Sequence, residues 1–171
     1  MVDTQLVDKK LVASSFEAST ATYEENAIVQ REISGQLVSL LERYDITDYK
    51  RVFEIGCCTG VLTGLICSSG SVDALYINDI VAEFCNITRQ RVAEKVGDVK
   101  LLPGDIEAVE FPRALDLVIS SSTFQWMSDL PGLLTSIHSS LKTKAHLAFT
   151  IFGPGTMTEI AQITGRSLHY Y

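Results

Sequence analysis

The chain has 171 residues, 46% hydrophobic and 20% charged, which suffices for one domain with a sizeable core and argues against a disordered chain. Its formal charge of −7 argues against nucleic acid as the main partner, because phosphate binding needs a basic surface. Apolar runs such as 145–152 are far shorter than the roughly 20 residues of a membrane helix, and the polar N-terminus does not read as a signal sequence, so a cytoplasmic protein without membrane contact is expected. In chain order, residues 1–47 read as helical throughout and form an N-terminal cap or lid, with Ile28, Val29, Ile33, Leu37, Leu40 and Leu41 close to one face. Residues 48–171 then alternate: strand 50–55, helix 61–68, strand 72–77, helix 81–95, strands 98–102 and 115–120, helix 130–141 and strand 145–151. That alternation implies right-handed crossovers and an α/β fold, a parallel sheet with helices on both faces.

In such a sheet, ligands sit beyond the carboxyl ends of the strands. The segments with chemical character fall there: 56–60 after the first strand, Asn78-Asp79 at the end of the second, Gly104-Asp105-Ile106 after the third, and 120–126 after the fourth. The first is the most informative, because Arg51-Val-Phe-Glu-Ile-Gly-Cys-Cys-Thr-Gly60 is a β-rich run that stops at a glycine-flanked loop. Gly56 and Gly60 let the chain turn sharply and bring backbone N–H groups close to a ligand. The frame Glu-x-Gly-x-Cys-x-Gly lacks the Gly-Lys-Ser/Thr ending of a phosphate loop and the glycine spacing of a dinucleotide site. Asp79 follows about 20 residues later, where βαβ units place a carboxylate on ribose hydroxyls; a helix N-cap is the alternative, and the spacing favours ribose binding. The 103–105 run is by itself an ordinary turn signal.

Cys57, Cys58, Cys67 and Cys85 show no Cys-x-x-Cys spacing and no nearby histidine pair, so they read as free thiols and no metal is expected. Cys57 and Cys58 have no His or Asp partner in sequence to activate them and read as packing residues. His138, His146 and His169 are scattered without metal-ligand spacing. Lys9-Lys10, Arg89 with Arg91 and Lys95, and Lys142 with Lys144 read as solvated faces.

The glycine loop resembles the first motif of the Rossmann-like, class I S-adenosylmethionine-dependent methyltransferases, an acidic residue followed by Gly-x-Gly-x-Gly, with Cys58 in place of the middle glycine. The resemblance implies S-adenosyl-L-methionine as cofactor, held by Glu54, Gly56, Cys57, Cys58 and Gly60, by Asp79 and Ile80 at the ribose, and by Ser120. Gly104-Asp105-Ile106-Glu107 resembles the family segment in which the aspartate accepts from the adenine amino group, which assigns Asp105 and Ile106 to the nucleobase. Cys58 then puts a side chain where backbone usually approaches the cofactor.

Three further segments resemble one subgroup, the malonyl-carrier-protein O-methyltransferases of biotin synthesis. They are Ser15-Phe16 through Ala21-Thr22-Tyr23 to Gln30-Arg31-Glu32, Asp116 through Phe124-Gln125-Trp126, and Leu147 through Gly153-Pro-Gly-Thr156 to Glu159. The chemistry implied is methyl transfer to the free carboxylate of a malonyl thioester on acyl carrier protein. That carboxylate is ionised near pH 7, so no general base is required. Tyr23 and Gln30 are then expected in a lid over the cofactor, and Gln125 and Trp126 in the wall between cofactor and substrate. Two alternatives stay open: a related small-molecule carboxyl methyltransferase, and a non-catalytic methyltransferase-like binding protein. The family domain continues past the fifth strand with a helix and an antiparallel pair, so a domain truncated after that strand is expected. Its bare edge would offer a route to a homo-oligomer.

Overall fold

The computed structural model describes residues 7–156 and 158–164; His169 and the ends of both expected segments lie outside them. The N-terminal region is three helices: α1 (Lys9–Ser19), α2 (Tyr23–Asn26) and α3 (Ile28–Arg43). Asp8 starts α1, its carboxylate accepting from the N–H groups of Lys10 and Leu11 at 3.1 Å. The break follows from Ser19, Thr20 and Thr22, whose hydroxyls donate to the carbonyls of Phe16, Glu17 and Ser19 and compete with helical pairing. The apolar face of α3 also differs from expectation: Ser34, Leu37, Val38 and Leu41 are buried, while Ile28, Val29 and Leu40 are exposed. Burial begins only in the second turn, where the helix meets α4, so the earlier apolar residues have nothing to pack on.

Beyond α3 the elements are β1 (Arg51–Ile55), α4 (Val61–Ser69), β2 (Ala74–Asn78), α5 (Ala82–Val92), β3 (Asp98–Leu101), β4 (Leu115–Ser121), α6 (Leu130–Ser140), β5 (Leu141–Thr150) and α7 (Thr158–Thr164). All strand pairs are parallel, in the order β3-β2-β1-β4-β5. The chain therefore builds outward from β1 to β3 and then jumps back to β4, so strand order reverses between β1 and β4. Period-two alternation divides the core between the two faces. Val52, Leu75, Ile77, Leu117 and Ile119 pack with Leu41, Leu62 and Ile66 on one face; Phe53, Ile55, Leu115 and Val118 pack with Phe124, Leu133 and Ile137 on the other.

β5 begins earlier than its apolar run. Leu115 pairs with Leu141 and Leu117 with His146, so the polar 142–145 stretch forms an irregularity in which Lys144 takes φ 67°. Lys142 is tied there rather than free, its Nζ lying 2.6 Å from Asp116 Oδ1. Among the described residues β5 pairs only with β4, which leaves its outer edge open. No helix of the described residues is long and apolar enough to cross a membrane.

Candidate functional site

The carboxyl ends of β1, β2 and β3 and the turn after β4 converge through backbone-anchored loops. At the end of β1 the chain turns at Gly56 (φ 75°), and the N–H groups of Gly56 and Cys57 both donate to the Asn78 carbonyl at 2.9 Å. A Cβ at residue 56 would lie 2.1 Å from Thr123 Oγ1, so only glycine admits this approach of the β1 and β4 loops. Cys58 adopts φ 46°, a left-handed conformation that is strained for a residue with a side chain. It is held there from both sides: its N–H donates to Asp79 Oδ2 at 2.8 Å and its carbonyl accepts from Thr88 Oγ1 at 2.8 Å. Asn78 Nδ2 donates to the carbonyls of Leu102 and Gly104, fastening the β3 loop to the same point.

Asp79 is 7% exposed, and Oδ1 accepts from the Val81 N–H at 2.9 Å. Burial lifts its carboxyl to about 6, against the opposing pull of the Val81, Cys58 and Ile80 N–H groups. Asp105 Oδ1 accepts from Lys9 Nζ at 2.5 Å and from the Glu107 N–H at 3.1 Å. Lys9 also pairs with Glu107 Oε2, and Glu107 in turn accepts from the N–H groups of Ser128 and Asp129. Burial disfavours the Glu107 carboxylate, but the Lys9 ammonium and those two N–H groups outweigh it and hold the carboxyl below its usual range.

These loops line a cleft that opens to solvent. Gly56, Cys58, Asp79, Ile80, Asp105 and Ile106 line it from the sheet, Lys9, Val12 and Phe16 from α1, and Ser122, Thr123, Trp126 and Met127 from the turn after β4. A smaller recess on the other side of the Gly56–Cys58 loop is lined by Gln30, Arg31 and Ser34 of α3 together with Cys57, Thr59 and Ser121. Apolar walls, a few convergent polar groups and a position beyond the strand ends are the features of a small-molecule site. Among the described residues no group of three or more His, Cys, Asp or Glu is placed to hold a metal ion.

The sequence pattern of a family described as "Methyltransferase domain" matches residues 53–149, more than half of the chain. The chain belongs to the methyltransferase domain family. Its relatives include the malonyl-[acyl-carrier protein] O-methyltransferase of Acinetobacter baylyi, 34% identical over 165 residues that cover 96% of this chain and 63% of that protein. The protein of the same name from Chlorobium phaeovibrioides is 36% identical over 95% of this chain and 64% of its own length. The methyltransferase domain thus spans less than two thirds of these relatives. Among solved structures, the N-methyltransferase NodS of Bradyrhizobium japonicum WM9, in complex with S-adenosyl-L-homocysteine, superposes with a TM-score of 0.65 at 20% identity, covering 80% of this chain and 71% of that one. The putative methyltransferase bound to the Haloferax volcanii Trm112 activator gives 0.71 at 15% identity, covering 91% and 69%. Both show the same fold.

The methyltransferase domain brings seven of the residues singled out by sequence to the cleft wall: Gly56, Cys58, Asp79, Ile80, Asp105, Ile106 and Trp126. Gln30 and Cys57 face the smaller recess, though the Cys57 side chain is buried beside Cys85, where burial pushes the thiol well up. Tyr23 sits in the α1–α3 connection with its ring against Phe16 and Phe84, at 6.0 and 5.7 Å between centroids. Burial, the Cys58 thiol and Asp79 raise its phenol above the ordinary value. Burial and Asp79 push the Cys58 thiol up to about 12, so it stays protonated, which fits a packing role.

Glu54, Gly60, Ser120 and Gln125 do not reach the cleft wall. Glu54 is 2% exposed, and its Oε2 accepts from Thr63 Oγ1 at 2.5 Å. Burial drives its carboxyl up to about 8, with the Thr63 hydroxyl opposing. Gly60 (φ 79°) starts α4 against Thr88, Ser120 Oγ donates to the Ile55 carbonyl at 2.8 Å, and Gln125 Nε2 donates to the Ser122 carbonyl at 2.5 Å. Sequence reasoning missed Lys9 and the pair Ser122 and Thr123. Lys9 is not a solvated residue: its side chain is 16% exposed and lies between two carboxylates.

Proposed function

We propose that this methyltransferase domain binds S-adenosyl-L-methionine in the cleft at the strand ends and methylates the free carboxylate of a malonyl thioester carried by acyl carrier protein, as in biotin synthesis. The carrying observation is the convergence of the Gly56–Cys58 loop, Asp79 and Asp105-Ile106 on one cavity at the point where strand order reverses. The residues fit the cofactor. The Gly56–Cys58 loop keeps left-handed geometry despite the Cys58 side chain, so its backbone retains the approach a glycine would give. Asp79 Oδ2 accepts from the Cys58 N–H and Oδ1 from the Val81 N–H, and the carboxylate keeps acceptor capacity for a ribose hydroxyl. Asp105 Oδ2 has no partner among the described residues and suits the adenine amino group, with Ile106 beside the ring.

The cofactor, when bound, supplies an electrophilic methyl group on a sulfonium. The chain's own contribution is positioning. Trp126 and Phe16, edge to face at 6.2 Å, close the apolar rim and exclude water, and Tyr23 and Gln30 stand on the α1–α3 side as lid elements. No basic residue has to remove a proton, because a carboxyl of ordinary pKa is already ionised near pH 7. The choice of malonyl carrier protein rests on the names of the relatives at 34–36% identity. The four cysteines are all free, which suits a reducing, cytoplasmic compartment. Pairing of two copies along the open edge of β5 belongs to the same proposal, and a monomer in sedimentation removes it.

The test is calorimetric titration with S-adenosylmethionine and S-adenosylhomocysteine, followed by mass-spectrometric detection of methyl ester on malonyl carrier protein, with free dicarboxylic acids run beside it. Saturable binding that Asp79→Ala abolishes, and ester formation on the thioester alone, are expected. Folded protein that binds neither compound refutes the cofactor assignment; ester on free diacids points instead to a small-molecule carboxyl methyltransferase.

A further inference from the structure

Helix α1 has no buried residue, yet Lys9, Val12 and Phe16 close the cleft from above the β3 loop. A helix without a buried face is held by a few discrete contacts: here the Phe16 ring contacts and an ionic one. The Lys9 ammonium joins Asp105 and Glu107, residues 96 and 98 positions away, and Glu107 carries the connection onward to the Ser128 and Asp129 N–H groups. Three segments around the cleft therefore meet at one cation, and Lys9 is the sole basic residue on the cleft wall among the described residues. The arrangement also divides the two oxygens of Asp105. Oδ1 is taken by Lys9 and the Glu107 N–H, which leaves Oδ2 as the acceptor still available.

We propose that Lys9 is a positioning residue for an aminopurine nucleoside: it fixes the Asp105 carboxylate so that Oδ2 accepts from the purine amino group, and it latches α1 over the bound base. This deepens the reading of the cleft as an S-adenosyl site and rests on it. The chemistry implies discrimination. A 6-amino purine donates to the fixed carboxylate, whereas a 6-keto purine presents an oxygen to it and is repelled. A carboxylate free to rotate discriminates less, because it can turn away from the keto oxygen.

The experiment uses S-adenosylhomocysteine and its deaminated analogue S-inosylhomocysteine as probes. Each is titrated calorimetrically into the full chain, the Lys9→Met and Lys9→Arg variants and the neighbouring control Lys10→Met, at low and high salt. Dissociation rates are measured by stopped flow. Lys9→Met is expected to bind the adenosyl compound on the order of 10-fold more weakly, chiefly through faster dissociation. Its preference for adenosyl over inosyl should shrink at an unchanged melting temperature. Lys9→Arg should restore both, and salt should weaken binding by the wild-type chain more than by Lys9→Met. Equal preference in wild type and Lys9→Met overturns the proposal while leaving the cofactor reading intact. So does an equal loss for both nucleosides with a lowered melting temperature, which marks Lys9 as merely structural. A folded wild-type chain that binds neither compound overturns the cofactor reading, and the role of Lys9 with it.

Discussion

Replacing Glu54 by Gln separates a stability role from a cofactor role at the acidic residue of the glycine motif. Glu54 is buried beside Thr63, and burial lifts its carboxyl from 4.5 to about 8. The folded chain therefore keeps a proton on Glu54 that the unfolded chain has released, throughout the window between those two values. A raised carboxyl stabilises the fold below the unfolded value, and that contribution is lost as pH rises through the folded one. Each pH unit in the window removes about 1.36 kcal/mol, so by pH 7 the wild-type chain has lost up to about 3 kcal/mol relative to acid conditions. Against a typical domain stability of about 5–15 kcal/mol this is measurable.

Gln has nearly the same shape, still accepts from Thr63 and does not titrate. Asp79, at about 6, adds a second slope at lower pH, so the informative comparison lies above it. Urea unfolding at about pH 6, 7 and 8 should show the wild type losing about 1.4 kcal/mol per unit relative to Glu54→Gln until the curves level off near 8. Because Glu54 does not line the cleft, affinity for S-adenosylhomocysteine should change by less than about 3-fold, below about 0.7 kcal/mol. Parallel stability curves would refute the buried, protonated assignment, and a 10-fold loss of affinity would show that Glu54 reaches the cofactor after all.

Three further outcomes follow from the same geometry. Asp79 must be ionised to accept from ribose hydroxyls at full strength, so affinity for S-adenosylhomocysteine should fall by up to about 10-fold per unit as pH drops below 6 and stay flat above 7, and Asp79→Asn should remove that dependence in calorimetry. Cys58→Gly relieves left-handed strain of about 1–2 kcal/mol but adds about 0.5–1 kcal/mol of chain flexibility, so unfolding should show a change within about 1 kcal/mol while cofactor affinity rises; an unchanged affinity would mean that the thiol does not obstruct the site. Gly56→Ala sets a methyl 2.1 Å from Thr123 Oγ1 at φ 75°, and thermal melts should report a loss of about 2–3 kcal/mol together with loss of cofactor binding.

The sheet was legible because its inner strands are short apolar runs bounded by turn residues. The exception, β5, extends into 141–144, where Lys142 and Lys144 read as loop. Pairing of Leu141 with Leu115 and the Lys142–Asp116 ion pair tie that stretch to β4, and neither leaves a local trace in sequence. The docked face of α3 was misread for a related reason: periodicity reports a stripe of apolar residues but not the turn at which the helix first touches the sheet. Lys9 was invisible because its partners lie 96 and 98 residues away. The only available signal was the presence of two carboxylates, Asp105 and Glu107, in a stretch from 101 to 112 that holds no Lys or Arg.

Side-chain direction within the glycine motif follows from strand alternation. Strand period two puts Glu54 on the same face as Val52, and Val52 packs with Leu62 and Ile66 of α4. Glu54 must then meet α4, where Thr63 lies between Leu62 and Ile66, and not the β3 loop that contributes Asp105 and Ile106 to the cleft. The alternation stops at Ile55, because the chain turns left-handed at Gly56. Cys57 and Cys58 show the consequence: adjacent and chemically identical, one thiol is buried against Cys85 and the other stands on the cleft wall beside Tyr23. Only the backbone angles of the turn decide which is which. A residue type in a motif therefore names the chemistry available at a strand end, while the turn geometry decides which side chain reaches the ligand.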